Sequence, residues 1–248
     1  MEKKYTFDEF MDIIRVLRSE NGCPWDRKQT HESLKRYMIE ETYEVIDAVE
    51  RQDLANLCEE LGDVLLQIAL HTTIAEEGKK FDIEDVISGI SSKMINRHPH
   101  VFGTAYAKDV SDVLRNWEDI KREEKKETTV SESIIRVPKS LPANIRAEKV
   151  QKKALDAGYG YKDFDAVIMD IEKSLLALKQ CKEIGNMTQI NDSYEKLLFL
   201  IVNLSGFLQL NAENSLTNAT NKFINRFVDI ERMSREKGRS LAELSDSE

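Results

Sequence analysis

The chain has 248 residues, a length that permits one large domain or two small ones. Charged residues make up 33% and aromatic residues 7%, with only 10 Gly and 4 Pro, and this balance favours an all-α fold over a sheet-rich one. The net charge of −9 argues against a general surface for nucleic acids or anionic membranes.

The N-terminal stretch "MEKKYTFDEF" has no apolar run behind it, so we expect no signal peptide. No segment approaches the ~18 apolar residues of a membrane span, so we expect no membrane partner. The three cysteines, Cys23, Cys58 and Cys181, are widely spaced and form no zinc-binding or disulfide pattern. We therefore expect a cytoplasmic protein with reduced thiols.

Helical periodicity dominates the first half of the chain. Gly22 and Pro24 interrupt it at "ENGCPWDRKQT", where we expect a loop, and Asp53 is a candidate N-cap. The pattern predicts helices over Phe7–Ser19, Glu32–Arg51, a long stretch after Asp53, Ile83–Asn96 and Ser111–Lys126.

The stretch "KREEKKETTVSESIIRVPKSLP" (121–142) is charged, then rich in Ser and Thr, and has the composition of a linker. Beyond it the pattern predicts helices over Ala143–Ala157, Asp165–Cys181, Gln189–Asn211 and Glu213–Glu236.

Two short similarities indicate an internal duplication. "KMINR" at 93–97 recurs as "KFINR" at 222–226, shifted by 129, and "DVLLQIAL" from Asp63 aligns by apolar pattern with "KLLFLIVN" from Lys196, shifted by 133. We therefore predict two helical repeats, 1–120 and 143–248, joined by the linker at 121–142.

Four acids stand out in the first repeat. Glu41 and Glu44 lie three positions apart on one predicted helix, and Glu60 and Asp63 lie three apart on the next. Position 52 is the midpoint of both Glu41–Asp63 and Glu44–Glu60, so an antiparallel hairpin brings the four acids level. Converging carboxylates repel by about 4 kcal/mol at ~4 Å and an effective dielectric constant near 20. A hard divalent cation such as Mg²⁺ would offset that repulsion. The alternative is two amphipathic helices with solvated acids.

The motif "EETYE" (40–44), followed on the next predicted helix by "ELGD" (60–63), resembles the EExxE…ExxD signature of the MazG nucleoside triphosphate pyrophosphohydrolases. The flanking stretches "GCPWDRKQT", "INRHPHVFG", "RVPKSLPANIRAEKVQKKA" and "NKFINRF" extend the resemblance over almost the whole chain. It implies an all-α protein of two tandem helical-bundle repeats, each built round an antiparallel helix hairpin. It also implies a homodimer that uses Mg²⁺ to convert nucleoside triphosphates to monophosphate and diphosphate.

The resemblance also assigns roles. Glu41, Glu44, Glu60 and Asp63 would hold the metal, and Glu40 would be a further catalytic acid. Lys93 and Arg97 would contact the triphosphate, with a solvated basic edge as the alternative. Trp25 and Lys28 are candidate substrate-binding residues, and Trp25 would either stack on a base or pack against the protein. His98 and His100 flank Pro99, which predicts a structural turn rather than a metal site.

The second repeat departs from this pattern. An offset of 133 brings Glu40, Glu41, Glu44, Glu60 and Asp63 onto Lys173, Ser174, Ala177, Ser193 and Lys196. We therefore expect catalysis in the first repeat alone. Two other functions stay open: a narrower dUTP- or dCTP-type pyrophosphatase, and a regulatory or scaffolding protein that binds nucleotide with little turnover.

Overall fold

A computed structural model of the chain describes residues 3–126 and 128–238. Over these residues the backbone forms twelve α-helices and no β-strand, which confirms the predicted all-α fold. The helices are α1 (Phe7–Arg18), α2 (Pro24–Lys28), α3 (His31–Glu50), α4 (Leu54–Glu77), α5 (Ile83–Arg97), α6 (Pro99–Phe102), α7 (Val110–Glu124), α8 (Val130–Ile135), α9 (Ala143–Asp156), α10 (Phe164–Ile184), α11 (Met187–Phe207) and α12 (Ala212–Lys237).

The long helices begin and end close to their predicted limits, but three short ones were not predicted. The stretch expected to be a loop contains α2, which starts at Pro24, because proline is well suited to the first position of a helix. A second short helix, α6, follows the turn at His98 and also starts with a proline. The third, α8, lies within the stretch at 121–142, whose role as a linker stays a prediction.

The chain divides into two compact units, with the division between Lys121 and Arg122. In the first unit, α3 and α4 form an antiparallel hairpin, and α1 and α5 pack against α4. The core of this unit is apolar, and its buried members are Met11, Ile14, Leu34, Ala69, Leu70 and Ile83. One face of the hairpin is therefore fixed by this core.

The turn between α3 and α4 is short and strongly specified. Gln52 adopts a left-handed conformation with φ of 56°, and the Asp53 N–H donates to the Ala48 carbonyl oxygen at 3.0 Å. The Asp53 side chain then accepts from the Asn56 N–H at 3.1 Å, which confirms the predicted N-cap. The chain thus reverses at the position predicted as the midpoint of the four acids.

In the second unit, α10 and α11 form the corresponding hairpin, while α9 packs against α8, α11 and α12. An offset of 133, the value read from the sequence, carries the first positions of α3 and α4 onto the first positions of α10 and α11. The same offset carries the left-handed turn residue Gln52 onto Gly185, which is also left-handed. The other offset, 129, carries the first position of α5 onto that of α12. The two-repeat architecture follows from this agreement.

Among the described residues, no helix combines the length and the apolar character needed to cross a membrane.

Candidate functional site

The α3–α4 hairpin brings three of the predicted acids together. Glu41 of α3 and Glu60 and Asp63 of α4 each place a carboxylate oxygen within 4.8 Å of the others. Glu44, one turn after Glu41, lies close enough to Glu60 to raise the pKa of the Glu60 carboxyl. All four acids therefore lie in one cluster on one side of the hairpin.

This cluster is electrostatically unfavourable when it holds only carboxylates. Burial raises the pKa of Glu41, and the negative charges of Asp63, Glu44 and Glu40 raise it further. Burial also raises the pKa of Glu60, which is 9% exposed, with added contributions from Glu44 and Asp63. Raised carboxylate pKa values are the expected result of close like charges away from water, and a cation would relieve them.

Glu40 lies beside the cluster rather than within it. Its side chain is exposed and pairs weakly with Arg36, at 4.0 Å from Nε to Oε1. Its charge nevertheless contributes to the raised pKa of Glu41. The structure thus separates Glu40 from the four acids that share the cluster.

Two buried polar side chains of α4, Gln67 and Thr73, were not singled out from the sequence, and Gln67 lies next to the acid cluster. Gln67, one turn after Asp63 on α4, is only 4% exposed, and its side chain lies beside the Glu41 carboxylate and lowers the pKa of that group. Its Oε1 atom is buried and has no hydrogen-bond partner among the described residues. A glutamine in the otherwise apolar run "DVLLQIAL" is a signal that could have identified it. Thr73, further along α4, is similarly buried and carries an Oγ1 with no partner within the described part of the chain.

The predicted phosphate-binding cations lie on α5, a helix that packs against α4. Lys93 is exposed, whereas Arg97 is half-buried and its guanidinium lies 5.2 Å from the ring centroid of Trp117 on α7. Trp117 was not singled out from the sequence. Its contact with Arg97 joins α5 to α7. The one sequence feature that could have identified Trp117 is a large aromatic residue in a mostly polar helix.

The turn predicted at "RHPHVFG" is confirmed. His98 ends α5, and its Nδ1 lies 2.6 Å from the Met94 carbonyl oxygen of the preceding turn. The His98 ring also packs edge-on against Trp117, with 5.0 Å between ring centroids. His98 therefore helps to hold α7 beside the last turn of α5.

Trp25 and Lys28 both lie on α2, before the acidic hairpin. The Trp25 ring contacts Tyr37 of α3 edge-on, with 5.9 Å between ring centroids, yet 52% of the residue is exposed. Lys28 is exposed at the end of α2. Trp25 therefore packs against α3 and still offers a free aromatic surface.

The second hairpin keeps the geometry of the first but not its chemistry. Ser174, which corresponds to Glu41, is buried and donates to the Asp170 carbonyl oxygen of its own helix at 2.7 Å. Lys173, which corresponds to Glu40, pairs with the Asp170 carboxylate at 3.2 Å. Leu200, which corresponds to Gln67, is buried in the second unit. This hairpin therefore carries packing residues and an ion pair where the first carries the acids.

Comparison with known proteins identifies the same family that the acidic motifs and their flanking stretches resemble. Residues 29–102 match the MazG nucleotide pyrophosphohydrolase domain, a range that includes all four clustered acids, Lys93 and Arg97. A Thermotoga maritima protein named nucleoside triphosphate pyrophosphohydrolase/pyrophosphatase MazG is 43% identical over 238 residues, which cover 96% of this chain and 90% of that protein.

Two further relatives resemble nearly the whole chain. The nucleoside triphosphate pyrophosphohydrolase of Escherichia coli strain K12 is 37% identical over 236 residues, which cover 93% of this chain and 89% of that protein. The uncharacterized protein YabN of Bacillus subtilis is 44% identical over 242 residues, which cover 97% of this chain. The chain spans about half of the length of YabN, 49%.

Proposed function

The chain belongs to the MazG family of nucleotide pyrophosphohydrolases, and we propose that its first repeat is an Mg²⁺-dependent nucleoside triphosphate pyrophosphohydrolase. The reaction converts a nucleoside triphosphate and water to a nucleoside monophosphate and diphosphate, so the bond broken joins the α- and β-phosphates. The observation that carries the proposal is the convergence of Glu41, Glu60 and Asp63 within 4.8 Å, inside the range that matches the family.

The donor set fits a hard divalent cation. Glu41, Glu44, Glu60 and Asp63 supply carboxylate oxygens, the ligands that Mg²⁺ prefers, and their mutual repulsion favours a bound cation. When bound, Mg²⁺ supplies charge neutralisation at the phosphate oxygens and a more acidic water. Glu40, which lies outside the cluster, orients water rather than binding the metal.

The cations and aromatic residues outside the cluster hold the substrate. Lys93 and Arg97 offset the charge of the triphosphate, and the Trp117 ring restricts the motion of the Arg97 guanidinium. The exposed part of the Trp25 ring is available for a base, and Lys28 adds positive charge on the same helix. Such positioning accelerates the reaction because the reacting groups need not be ordered again in the transition state.

Catalysis resides in the first repeat alone, and the second stabilises the protein. In the second hairpin, lysines occupy the positions of Glu40 and Asp63, and a lysine opposes a divalent cation. Only Ser193 and Ser174 remain as neutral oxygen donors at the positions of Glu60 and Glu41, and Ser174 already bonds to its own helix.

The active form is a homodimer. Large apolar side chains on the hairpin point away from the core of the first unit and are exposed by about half or more, among them Ile39, Val49, Leu54 and Leu61. An exposed apolar surface of this kind marks an interface, and a second copy of the hairpin presents the same surface. Light scattering coupled to size exclusion tests this directly, with a mass of one chain as the contrary result.

The function is tested by measuring diphosphate release from canonical and modified nucleoside triphosphates, with and without Mg²⁺. We expect Mg²⁺-dependent release by the wild-type protein, its loss in Glu41→Gln and in Glu60→Gln, and unchanged release in Ser174→Glu/Lys196→Asp. Full activity in both single variants would refute the assignment of the site. Release from dUTP or dCTP alone would indicate the narrower pyrophosphatase, and nucleotide binding without release would indicate a regulatory protein.

A further inference from the structure

We propose that Gln67 is a positioning residue of the metal site, whose amide group orients Glu41 and whose buried oxygen would accept a hydrogen bond from water at that site. This inference rests on the proposed function, because it requires a divalent cation at the acid cluster. No motif assigns Gln67 a role, and it lies outside the EExxE…ExxD signature.

The orientation of the amide follows from the chemistry of its neighbour. The Glu41 carboxylate offers only acceptors, so the side of the Gln67 amide that suits it is Nε2, which leaves Oε1 for another donor. Gln67 is 4% exposed, and Oε1 is buried without a partner among the residues described. A buried amide oxygen without a donor is unfavourable, and water bound to a cation is a strong donor.

The internal repeat separates packing from function at this position. Leu200 occupies the corresponding position of α11 and is 3% exposed, so an apolar side chain satisfies the packing of this hairpin. The acids and the amide are absent together from the second hairpin. The hairpin with the carboxylates therefore has a glutamine at this position, and the hairpin without them has a leucine. This difference is expected if the amide of Gln67 interacts with the carboxylates and is not needed for packing.

Residues that orient metal ligands typically change metal affinity by roughly 10–100-fold when removed. The Gln67 amide would restrict the rotation of the Glu41 carboxylate, and its buried oxygen would hold a water beside the metal. Both effects act on binding of the metal itself, before any nucleotide is present.

The experiment measures Mn²⁺ binding to the full chain without nucleotide, by electron paramagnetic resonance and by calorimetry. Gln67→Leu, which copies the second repeat, and Gln67→Met, which keeps the side-chain length, are expected to weaken binding by roughly 10–100-fold. Thr73→Val is the matched control, because Thr73 is also buried on α4 with an unpartnered Oγ1 among the described atoms. It is expected to bind Mn²⁺ as the wild type does.

Circular dichroism and thermal melting establish whether each variant is folded. If Gln67→Leu does not fold, the Mn²⁺ affinity of Gln67→Met decides the inference. Wild-type affinity in a folded Gln67 variant would overturn it while leaving the proposed function intact. An equal loss in Thr73→Val would also overturn it, since the effect would then belong to the core of α4. Absence of Mn²⁺ binding to the wild-type protein would instead overturn the proposed function.

Discussion

The acid cluster should make the metal-free protein less stable than a variant that lacks one of its charges. Glu41→Gln keeps the size of the side chain and an acceptor for the Gln67 amide, while it removes one negative charge from the group within 4.8 Å. We therefore expect this variant to melt at a higher temperature than the wild type when no divalent cation is present.

The magnitude follows from the distance and the exposure of the group. Two unit charges about 4.8 Å apart repel by about 3.5 kcal/mol at an effective dielectric constant near 20, and by about 0.9 kcal/mol in bulk water. Because Glu41 is half-buried, we expect an intermediate gain of about 1.5 kcal/mol after solvent screening. For a chain of this length, that gain corresponds to a rise in Tm of roughly 3–6 °C.

The sign of the pH dependence provides a second test. Because the pKa of Glu41 is raised in the folded state, the folded protein binds more protons than the unfolded chain, and its stability falls as the pH rises through that pKa. The advantage of Glu41→Gln should thus be smaller near about pH 5 than near about pH 7.5.

The assay is calorimetric melting in a chelator and then in excess Mg²⁺. At a metal concentration about 100 times its Kd, a protein that binds gains about 2.7 kcal/mol. The wild type should show this gain and Glu41→Gln should lose most of it. Glu172→Gln is the control, because Glu172 is exposed near the middle of α10 and its removal changes the net charge equally. If Glu41→Gln melts at or below the temperature of this control in chelator, the inferred repulsion is wrong.

Three further results are expected. Trp117→Leu should raise KM for the triphosphate by roughly 2–5-fold, because the ring no longer restrains Arg97 and one exposed cation–π contact is lost. An unchanged KM would contradict this role of Trp117. Burial and the adjacent His31 lower the pKa of His71, so the stability of the protein should fall as the pH drops below about 6.5. In His31→Gln, the melting temperature should fall less steeply with decreasing pH. The same dependence of melting temperature on pH in the variant and the wild type would contradict this expectation. Lys196→Ala should leave diphosphate release unchanged, whereas a large loss would show that the second repeat takes part in catalysis.

The hairpin could be predicted from the sequence because its information is local. The two helices have clear apolar periodicity, Asp53 is a strong cap, and the spacing of the acids defines their midpoint without knowledge of the remaining fold. Gln52 then adopts the left-handed turn where the midpoint falls. The two repeat offsets could also be predicted, because each follows from the similarity of two short segments of the sequence.

The missed features depend on contacts between helices or on very short helices. The helices α2 and α6 have five and four residues, too few for periodicity to distinguish them from turns. The stacking of Arg97 on Trp117 depends on how α7 packs beside α5, which no local pattern specifies. Gln67 was overlooked because a single polar residue within an apolar run acquires meaning only when its oxygen is seen to be buried.

All four clustered acids lie between positions 41 and 63, on two helices joined by a short turn. A duplication that copies one hairpin therefore copies the whole set of proposed metal ligands, and neither copy needs the other to supply one. Substitution of a few residues can then erase one set while the helices that carried it remain. A family built on such a self-contained hairpin can change the number of working sites per chain without changing its architecture.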